Sequence, residues 1–105
     1  MEPLKPEDLA RRLEAGEEFC LLDVREEEEW EACRIEGSVW IPLGELSVRH
    51  TELDPDKPTV CICHHGIRSA SAAMGLERLD FAEVYNLSGG VDRWARVVDP
   101  KMPRY

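Results

Sequence analysis

Residues suited to chemistry are concentrated in one segment of the chain, residues 59–73, which reads TVCICHHGIRSASAA. A short β-type run ends at Cys63, a loop follows, and small helix-favouring residues resume at Ser69. A strand, a tight loop and a helix start together aim backbone N–H groups and the positive end of a helix dipole at one point. Such surroundings favour the thiolate form of a cysteine, which is its nucleophilic form. The pattern therefore predicts that Cys63 is a nucleophile in an anion-binding loop.

The residues after Cys63 suit this prediction individually. Gly66 permits a positive φ angle, so that consecutive N–H groups can turn inward, and Arg68 supplies a fixed positive charge. Ser69 can cap the helix or form a hydrogen bond with the sulfur. His64 and His65 can supply protons near neutral pH or bind substrate. The loop would stabilise a thiolate and, after uptake of a sulfur atom, the charged terminal sulfur of a persulfide.

The other cysteines are expected to pack rather than react. Cys61 lies two residues before Cys63 in an extended strand, so its side chain is expected on the same face. We interpret it as buried filler, because a Cys-x-Cys strand places two sulfurs poorly for a disulfide. Cys20 is expected in the core, and Cys33 is expected to be partly exposed at the end of a helix.

A metal site is the competing interpretation of this segment. Two cysteines and two histidines, Cys61, Cys63, His64 and His65, lie within five residues. Consecutive histidines in a tight loop do not easily complete a tetrahedron with strand cysteines, and the separated ligand pairs of zinc sites are absent. The sequence therefore favours a site without a metal or a dissociable cofactor.

The elements around the loop predict an α/β protein with a mostly parallel sheet, because strand-like and helix-like segments alternate. Continuous apolar runs are typical of strands buried on both faces. Active sites in such sheets form at the carboxyl ends of strands, where Cys63 lies. One predicted strand ends at Leu4, and the other four span 19–24, 38–41, 59–63 and 84–87. One predicted helix begins near Pro6, another spans 26–33, and a third occupies part of 43–53. The last two span 69–79, with Ala72, Ala73, Leu76 and Leu79 facing inward, and 91–97, with Trp94 facing inward.

Composition limits the classes of partner. A chain of 105 residues predicts one domain, residues 1–105, which we expect to be a monomer. A net charge of −9 disfavours nucleic acid and anionic membranes. No apolar run approaches the ~18 residues of a membrane span, and the first residues do not resemble a signal peptide. Four cysteines in this context predict reduced thiols and a cytoplasmic location.

Four segments, taken in order, resemble motifs of the rhodanese-like sulfurtransferases. Cys63–Ser69 is similar to their Cys-x-x-Gly-x-Arg-Ser active-site loop, and Leu22–Glu26 contains their Asp-Val-Arg. Two further segments resemble their His-Ile-x-Gly-Ala…Ile-Pro and Asn-Leu-x-Gly-Gly…Trp elements: Arg34–Pro42 and Asn86–Trp94. Cys33-Arg34 stands where the family usually has Gly-His. This variant, together with residues 98–105, resembles the rhodanese modules fused to adenylyltransferases that activate ubiquitin-like sulfur carriers.

The resemblance implies a three-layer rhodanese-like sandwich, a five-stranded parallel sheet flanked by helices. It also implies ping-pong transfer, in which Cys63 takes a sulfane sulfur from thiosulfate or a persulfide and passes it to cyanide, a thiol or a protein sulfur carrier. The residues of the cradle, by which we mean the substrate-binding loop after Cys63, would be His64, His65, Gly66, Ile67, Arg68 and Ser69. The positions of Asp23 and Arg25 are structural in the family and tie the second strand to the site.

Two alternatives to sulfur transfer remain open at this stage. Cysteine-dependent phosphatases and arsenate reductases use a Cys-to-Arg loop one residue longer than this one, in which four residues separate Cys63 from Arg68. The shorter loop makes a smaller bowl, better suited to a single sulfur than to a tetrahedral phosphate. Some family members have lost the cysteine and serve as docking modules, whereas this chain retains both Cys63 and Arg68.

Overall fold

Five parallel strands form the centre of the protein in the computed structural model, which describes all 105 residues. The sheet has the order β1-β5-β4-β2-β3, so β4 is its central strand. Every pairing is parallel, which confirms the predicted sheet. The strands are β1 (Glu2–Leu4), β2 (Cys20–Asp23), β3 (Val39–Trp40), β4 (Thr59–Ile62) and β5 (Val84–Leu87).

Helices cover both faces of the sheet and confirm the three-layer arrangement. They are α1 (Pro6–Glu14), α2 (Glu27–Ala32), α3 (Leu46–Arg49), α4 (Ile67–Arg78) and α5 (Gly90–Val97), and 3₁₀ turns at Leu43–Glu45 and His50–Glu52 flank α3. On one face, Leu22 and Cys61 pack against Ala73 and Leu76 of α4. On the other face, residues of β2, β4 and β5 pack against α1 and α5: Leu21, Val60, Ile62 and Leu87 against Leu9, Val91 and Trp94. The inward positions of Ala72, Ala73, Leu76 and Trp94 are confirmed by their burial.

Three local predictions are wrong. Helix α4 begins at Ile67 rather than at Ser69, with Gly66 as its N-terminal cap. Leu79 is 45% exposed, because it follows the last helical residue and no longer lies on the inner face of α4. Cys33 is buried rather than partly exposed, because the chain becomes extended immediately after α2 and turns the thiol inward.

The helices of this fold are short. None of them is both long enough and apolar enough to cross a bilayer.

Candidate active site

The sulfur of Cys63 lies at the carboxyl end of the central strand, one residue beyond β4. Its Sγ atom accepts hydrogen bonds from the backbone N–H groups of Gly66 (3.0 Å) and Ser69 (3.3 Å). The Ser69 hydroxyl lies 3.2 Å from the same sulfur. Hydrogen bonds of this kind favour negative charge on the atom that accepts them. The residue as a whole is only 1% exposed.

Gly66 gives the cradle its shape. Its φ of +104° lies in the left-handed region, which confirms the predicted positive φ and which glycine adopts at no steric cost. Asn86 of β5 fixes the turn, because its Nδ2 donates to the Gly66 carbonyl oxygen at 2.9 Å. The backbone N–H groups of His65, Ile67 and Arg68 donate to no acceptor within the chain. These three N–H groups therefore have no partner in the chain and can donate to a bound anionic group.

Helix α5 binds the cysteine loop through backbone hydrogen bonds. The N–H of Val91 donates to the Cys63 carbonyl oxygen at 2.9 Å, and the N–H of Asp92 donates to the His64 carbonyl oxygen at 3.1 Å. A Cβ atom at Gly90 would lie 2.3 Å from each of those two carbonyl oxygens. The Gly-Gly pair at the start of α5 therefore allows the helix to approach the cysteine loop at backbone contact distance.

Arg68 is paired with an acidic residue that the sequence analysis did not single out. Its Nη1 and Nη2 atoms donate to Oε1 and Oε2 of Glu29 at 2.6 and 2.8 Å. Hydrogen bonding from Arg68, which outweighs partial burial, lowers the pKa of Glu29 to about 2. Glu29 is therefore ionised throughout the physiological range and forms an ion pair with Arg68, to which the sequence assigned an unpaired charge. Direct binding of substrate by Arg68 stays a prediction.

The acidic run at the start of α2 contributes Glu29 to the site. Glu29 and Glu26 form a capping box at the N-terminus of α2, in which Glu29 Oε1 accepts from the Glu26 N–H. The hydroxyl of Tyr105 donates to Glu29 Oε2 at 2.9 Å. Glu29 is thus fixed from three sides, by its own helix, by Arg68 and by Tyr105.

The two histidines occupy different environments. The ring of His64 contacts the rings of Tyr105 and His65, with centroids 4.2 and 4.0 Å apart. Burial, and then the neighbouring His65, lowers the pKa of His64, and its Nδ1 atom is buried without a partner. His65 is largely exposed, and its Nε2 lies 3.8 Å from Oδ2 of Asp92. Their role in binding substrate stays a prediction.

The structure groups potential metal ligands differently from the sequence interpretation. His64 and His65 lie near Asp92, with donor atoms within 4.8 Å of one another, rather than in a set with Cys61 and Cys63. Asp92 already pairs with Arg104 and Arg96. Burial raises the pKa of Cys61 to about 12, which makes it a poor ligand and nucleophile and supports its interpretation as core filler.

Asp23 and Arg25 form a fully buried ion pair next to the site. Arg25 Nη2 lies 2.8 Å from Asp23 Oδ2, and both side chains are 0% exposed. Arg25 also donates to the carbonyl oxygens of Glu29 and Cys33 and to the Tyr105 hydroxyl. The geometry agrees with the structural role that the resemblance implies for both residues.

Sequence reasoning missed Glu29, Tyr105 and Asp92, and it found Asn86 and Gly90 only as letters of a motif. Glu29 is one of four consecutive glutamates, and nothing in that run distinguishes it from its neighbours. Tyr105 lies in an irregular segment without periodicity. The motif around Asn86 was the only available signal for the residue that fixes the turn at Gly66.

A parallel α/β sheet with a cysteine held by backbone N–H groups beyond its central strand defines a class of α/β domains with a cysteine loop at the carboxyl edge of the sheet. Within this class the chain belongs to the Rhodanese-like domain family, whose family model matches residues 5–97.

Relatives of the chain include proteins of different sizes. The putative sulfurtransferase YtwF of Bacillus subtilis is 38% identical over 93 residues, which cover 89% of each chain. The probable adenylyltransferase/sulfurtransferase MoeZ of Mycobacterium tuberculosis is 31% identical over 97% of this chain, which spans only 26% of the mycobacterial protein. The crystal structure of a rhodanese-related protein from Thermoplasma volcanium has a TM-score of 0.82 and 32% identity, and covers 98% of this chain and 96% of its own. These comparisons confirm the predicted family and fold and support a sulfurtransferase role at the level of the family.

Proposed function

We propose that the protein is a sulfurtransferase that carries a sulfane sulfur on Cys63 as a persulfide. In the first step, the Cys63 thiolate attacks the outer sulfur of a donor, thiosulfate or a hydropersulfide, and the sulfur–sulfur bond of the donor breaks. The electron pair of that bond leaves with sulfite or with the donor thiolate. In the second step, cyanide, a thiol or a protein sulfur carrier attacks the outer sulfur of the persulfide and releases the Cys63 thiolate. No electron acceptor is needed, because the sulfur atom is transferred without net oxidation of the protein.

The hydrogen bonding of the Cys63 sulfur is the observation that carries the proposal. Two backbone N–H groups point at Sγ from 3.0 and 3.3 Å, and three more N–H groups of the cradle have no acceptor in the chain. The N–H groups of Gly66 and Ser69 would hold the thiolate, and the three N–H groups without an acceptor would hold the terminal sulfur of the persulfide. Preorganised donors of this kind stabilise charge that develops during a transfer.

The spacing of the loop supports a sulfur rather than a phosphoryl group. Helix α4 begins at Ile67, and the bowl between Cys63 and Arg68 is closed by four residues. A loop of this length encloses a smaller space than the phosphatase loop and fits one sulfur atom better than a tetrahedral phosphate. A docking function would not require the hydrogen bonds to the sulfur.

Intact-mass measurement after exposure to sulfur donors tests the proposal. The wild-type protein should gain one sulfur atom, and the Cys63→Ala variant should gain none. Cys33→Ser is the matched control, because Cys33 is also buried but lies outside the cradle, and this variant should be loaded like the wild type. A wild-type protein that stays unmodified with thiosulfate and with hydropersulfides would refute the proposal, as would loading that survives the loss of Cys63.

A further inference from the structure

The charge at the rim of the cradle depends on one carboxylate. Arg68 is the only cationic side chain within the cradle, and both of its terminal nitrogens are bound to Glu29. The Glu29 side chain is 19% exposed and that of Arg68 is 36% exposed, so the pair is only partly screened by water. An anion that enters the cradle therefore meets an ion pair rather than a free guanidinium.

Glu29 cannot readily turn away to release the arginine. Its Oε1 also accepts from the Glu26 N–H, and its Oε2 also accepts from the Tyr105 hydroxyl. The carboxylate stays ionised at neutral pH because the hydrogen bonds from Arg68 hold its pKa low. The pairing is thus a built feature of the site and not a chance surface contact.

The surroundings add further negative charge. Glu27 and Glu28 lie exposed in the first turn of α2 beside Glu29, and the whole chain carries a net charge of −9. Long-range attraction therefore does not help a dianion to approach, and the local cation is neutralised. An entering dianion therefore depends on the backbone N–H groups and the histidines of the cradle rather than on a free guanidinium.

We infer that Glu29 is a specificity-determining residue that makes the site select a hydropersulfide, with at most one negative charge at the reacting end, over the thiosulfate dianion. The inference rests on the proposed function and names its donor class. In the transfer, the Cys63 thiolate attacks the outer sulfur of R–S–SH and the sulfur–sulfur bond breaks. The electron pair leaves with R–S⁻, and the proton stays on the new Cys63 persulfide.

The Glu29→Gln variant provides the central test. Glutamine can still accept from Arg68 and maintain the capping box, so the fold should survive while the charge of Arg68 becomes available. The KM for thiosulfate should fall about tenfold or more, the size of effect expected for one charge a few ångströms away. The KM for cysteine hydropersulfide should change less than twofold.

Glu28→Gln is the matched control. It removes the same charge from the same helix, but Glu28 is exposed and has no contact with Arg68, so neither KM should change more than twofold. The double variant Glu29→Gln/Arg68→Met should lose the gain in thiosulfate use, because the gain requires the freed guanidinium.

The outcomes separate this inference from the proposed function. If no donor adds sulfur to wild-type Cys63, the proposed function fails and the inference fails with it. If wild-type protein is loaded by thiosulfate as efficiently as by cysteine hydropersulfide, the proposed function stands and the inference is overturned. A thiosulfate KM that Glu29→Gln leaves unchanged, or that Glu28→Gln lowers equally, also overturns it. If Glu29→Gln does not fold, the wild-type ratio of the two donors decides alone.

Discussion

The Ser69 hydroxyl connects the Cys63 sulfur to Asn86 of the neighbouring strand β5. Asn86 is oriented by its bond to the Gly66 carbonyl oxygen, so its Oδ1 faces Ser69 and accepts from that hydroxyl. When Cys63 is a thiol, its S–H can therefore donate to the Ser69 oxygen. When Cys63 ionises, the hydroxyl hydrogen can turn from Asn86 to the sulfur. Ser69 thus serves both protonation states of Cys63 without a movement of the backbone.

His64 gives a prediction about pH at the same scale. Burial lowers its pKa in the folded protein below the ordinary value of about 6.5. Below about pH 6.5 the unfolded chain therefore binds more protons than the folded one. The stability that depends on a neutral His64 ring is complete above about pH 6.5 and is lost as the pH falls. Urea unfolding between about pH 5 and 8 should show that His64→Gln reduces the loss of stability on the acid side.

His65→Gln is the control for that series. It removes only the weaker of the two main causes that lower the His64 pKa, so most of the acid-side loss should remain. An acid-side loss that is identical in the wild type and in His64→Gln would show that burial of this ring does not contribute to it.

At the scale of elements, the cysteine loop is shaped by two helices that lie on opposite faces of the sheet. Helix α4 begins at Ile67 and supplies N–H groups to the cradle, while α5 supplies the N–H groups that bind the carbonyl oxygens of Cys63 and His64. Both helices begin immediately after a glycine in the left-handed region, Gly66 and Gly89. The loop is thus held through its backbone by hydrogen bonds from both helices.

Gly90→Ala should therefore destabilise the protein strongly. The residue has a φ of +59°, and a Cβ there would lie 2.3 Å from two backbone oxygens. The left-handed conformation costs an L-residue about 1–2 kcal/mol, and forced overpacking adds about 1–3 kcal/mol. Urea denaturation should show a loss of at least about 2 kcal/mol, with reduced sulfur loading as α5 moves away from the loop.

The chain offers a matched glycine for comparison. Gly75 lies inside α4, and a Cβ there would meet nothing within 4 Å. Gly75→Ala should raise stability by about 0.5–1 kcal/mol, because alanine is the better helix former. Equal effects of the two substitutions would contradict the close seating of α5 against the loop.

The strands and helices were largely predictable from the sequence, whereas the ion pairs between residues distant in sequence were not. The run at 19–24, apolar except for Asp23, identified a buried strand because a strand covered on both faces is mostly apolar. The turn at Gly66 followed from the need for a positive φ. The ion pair between Glu29 and Arg68 joins residues 39 positions apart, and long charged side chains have no periodicity that marks a partner. The predicted inward position of Leu79 is wrong for a local reason, since helix ends are set by capping rather than by the apolar pattern.

At the scale of the molecule, Arg25 connects three parts of the chain that are distant in sequence. It binds Asp23 at the end of β2, the carbonyl oxygens of Glu29 and Cys33 around α2, and the hydroxyl of Tyr105 in the final segment. Its own carbonyl oxygen accepts from the indole of Trp40 in β3. The carboxyl edge of the sheet is therefore organised around one buried guanidinium whose counter-charge is Asp23.

Asp23→Asn should consequently be among the most damaging single substitutions in the protein. It leaves a buried guanidinium without its counter-ion, a change that typically costs about 3–5 kcal/mol. A domain of this size is typically stable by about 5–15 kcal/mol, so the variant should unfold at a markedly lower urea concentration. Glu45→Gln is the control, since it breaks an exposed pair with Arg49 that should contribute less than about 1 kcal/mol.

Because Arg25 also binds Tyr105, and Tyr105 binds Glu29, the folded fraction of Asp23→Asn should in addition use thiosulfate better relative to hydropersulfide than the wild type does. An Asp23→Asn variant as stable as Glu45→Gln would show that the carboxyl edge is held together without this ion pair.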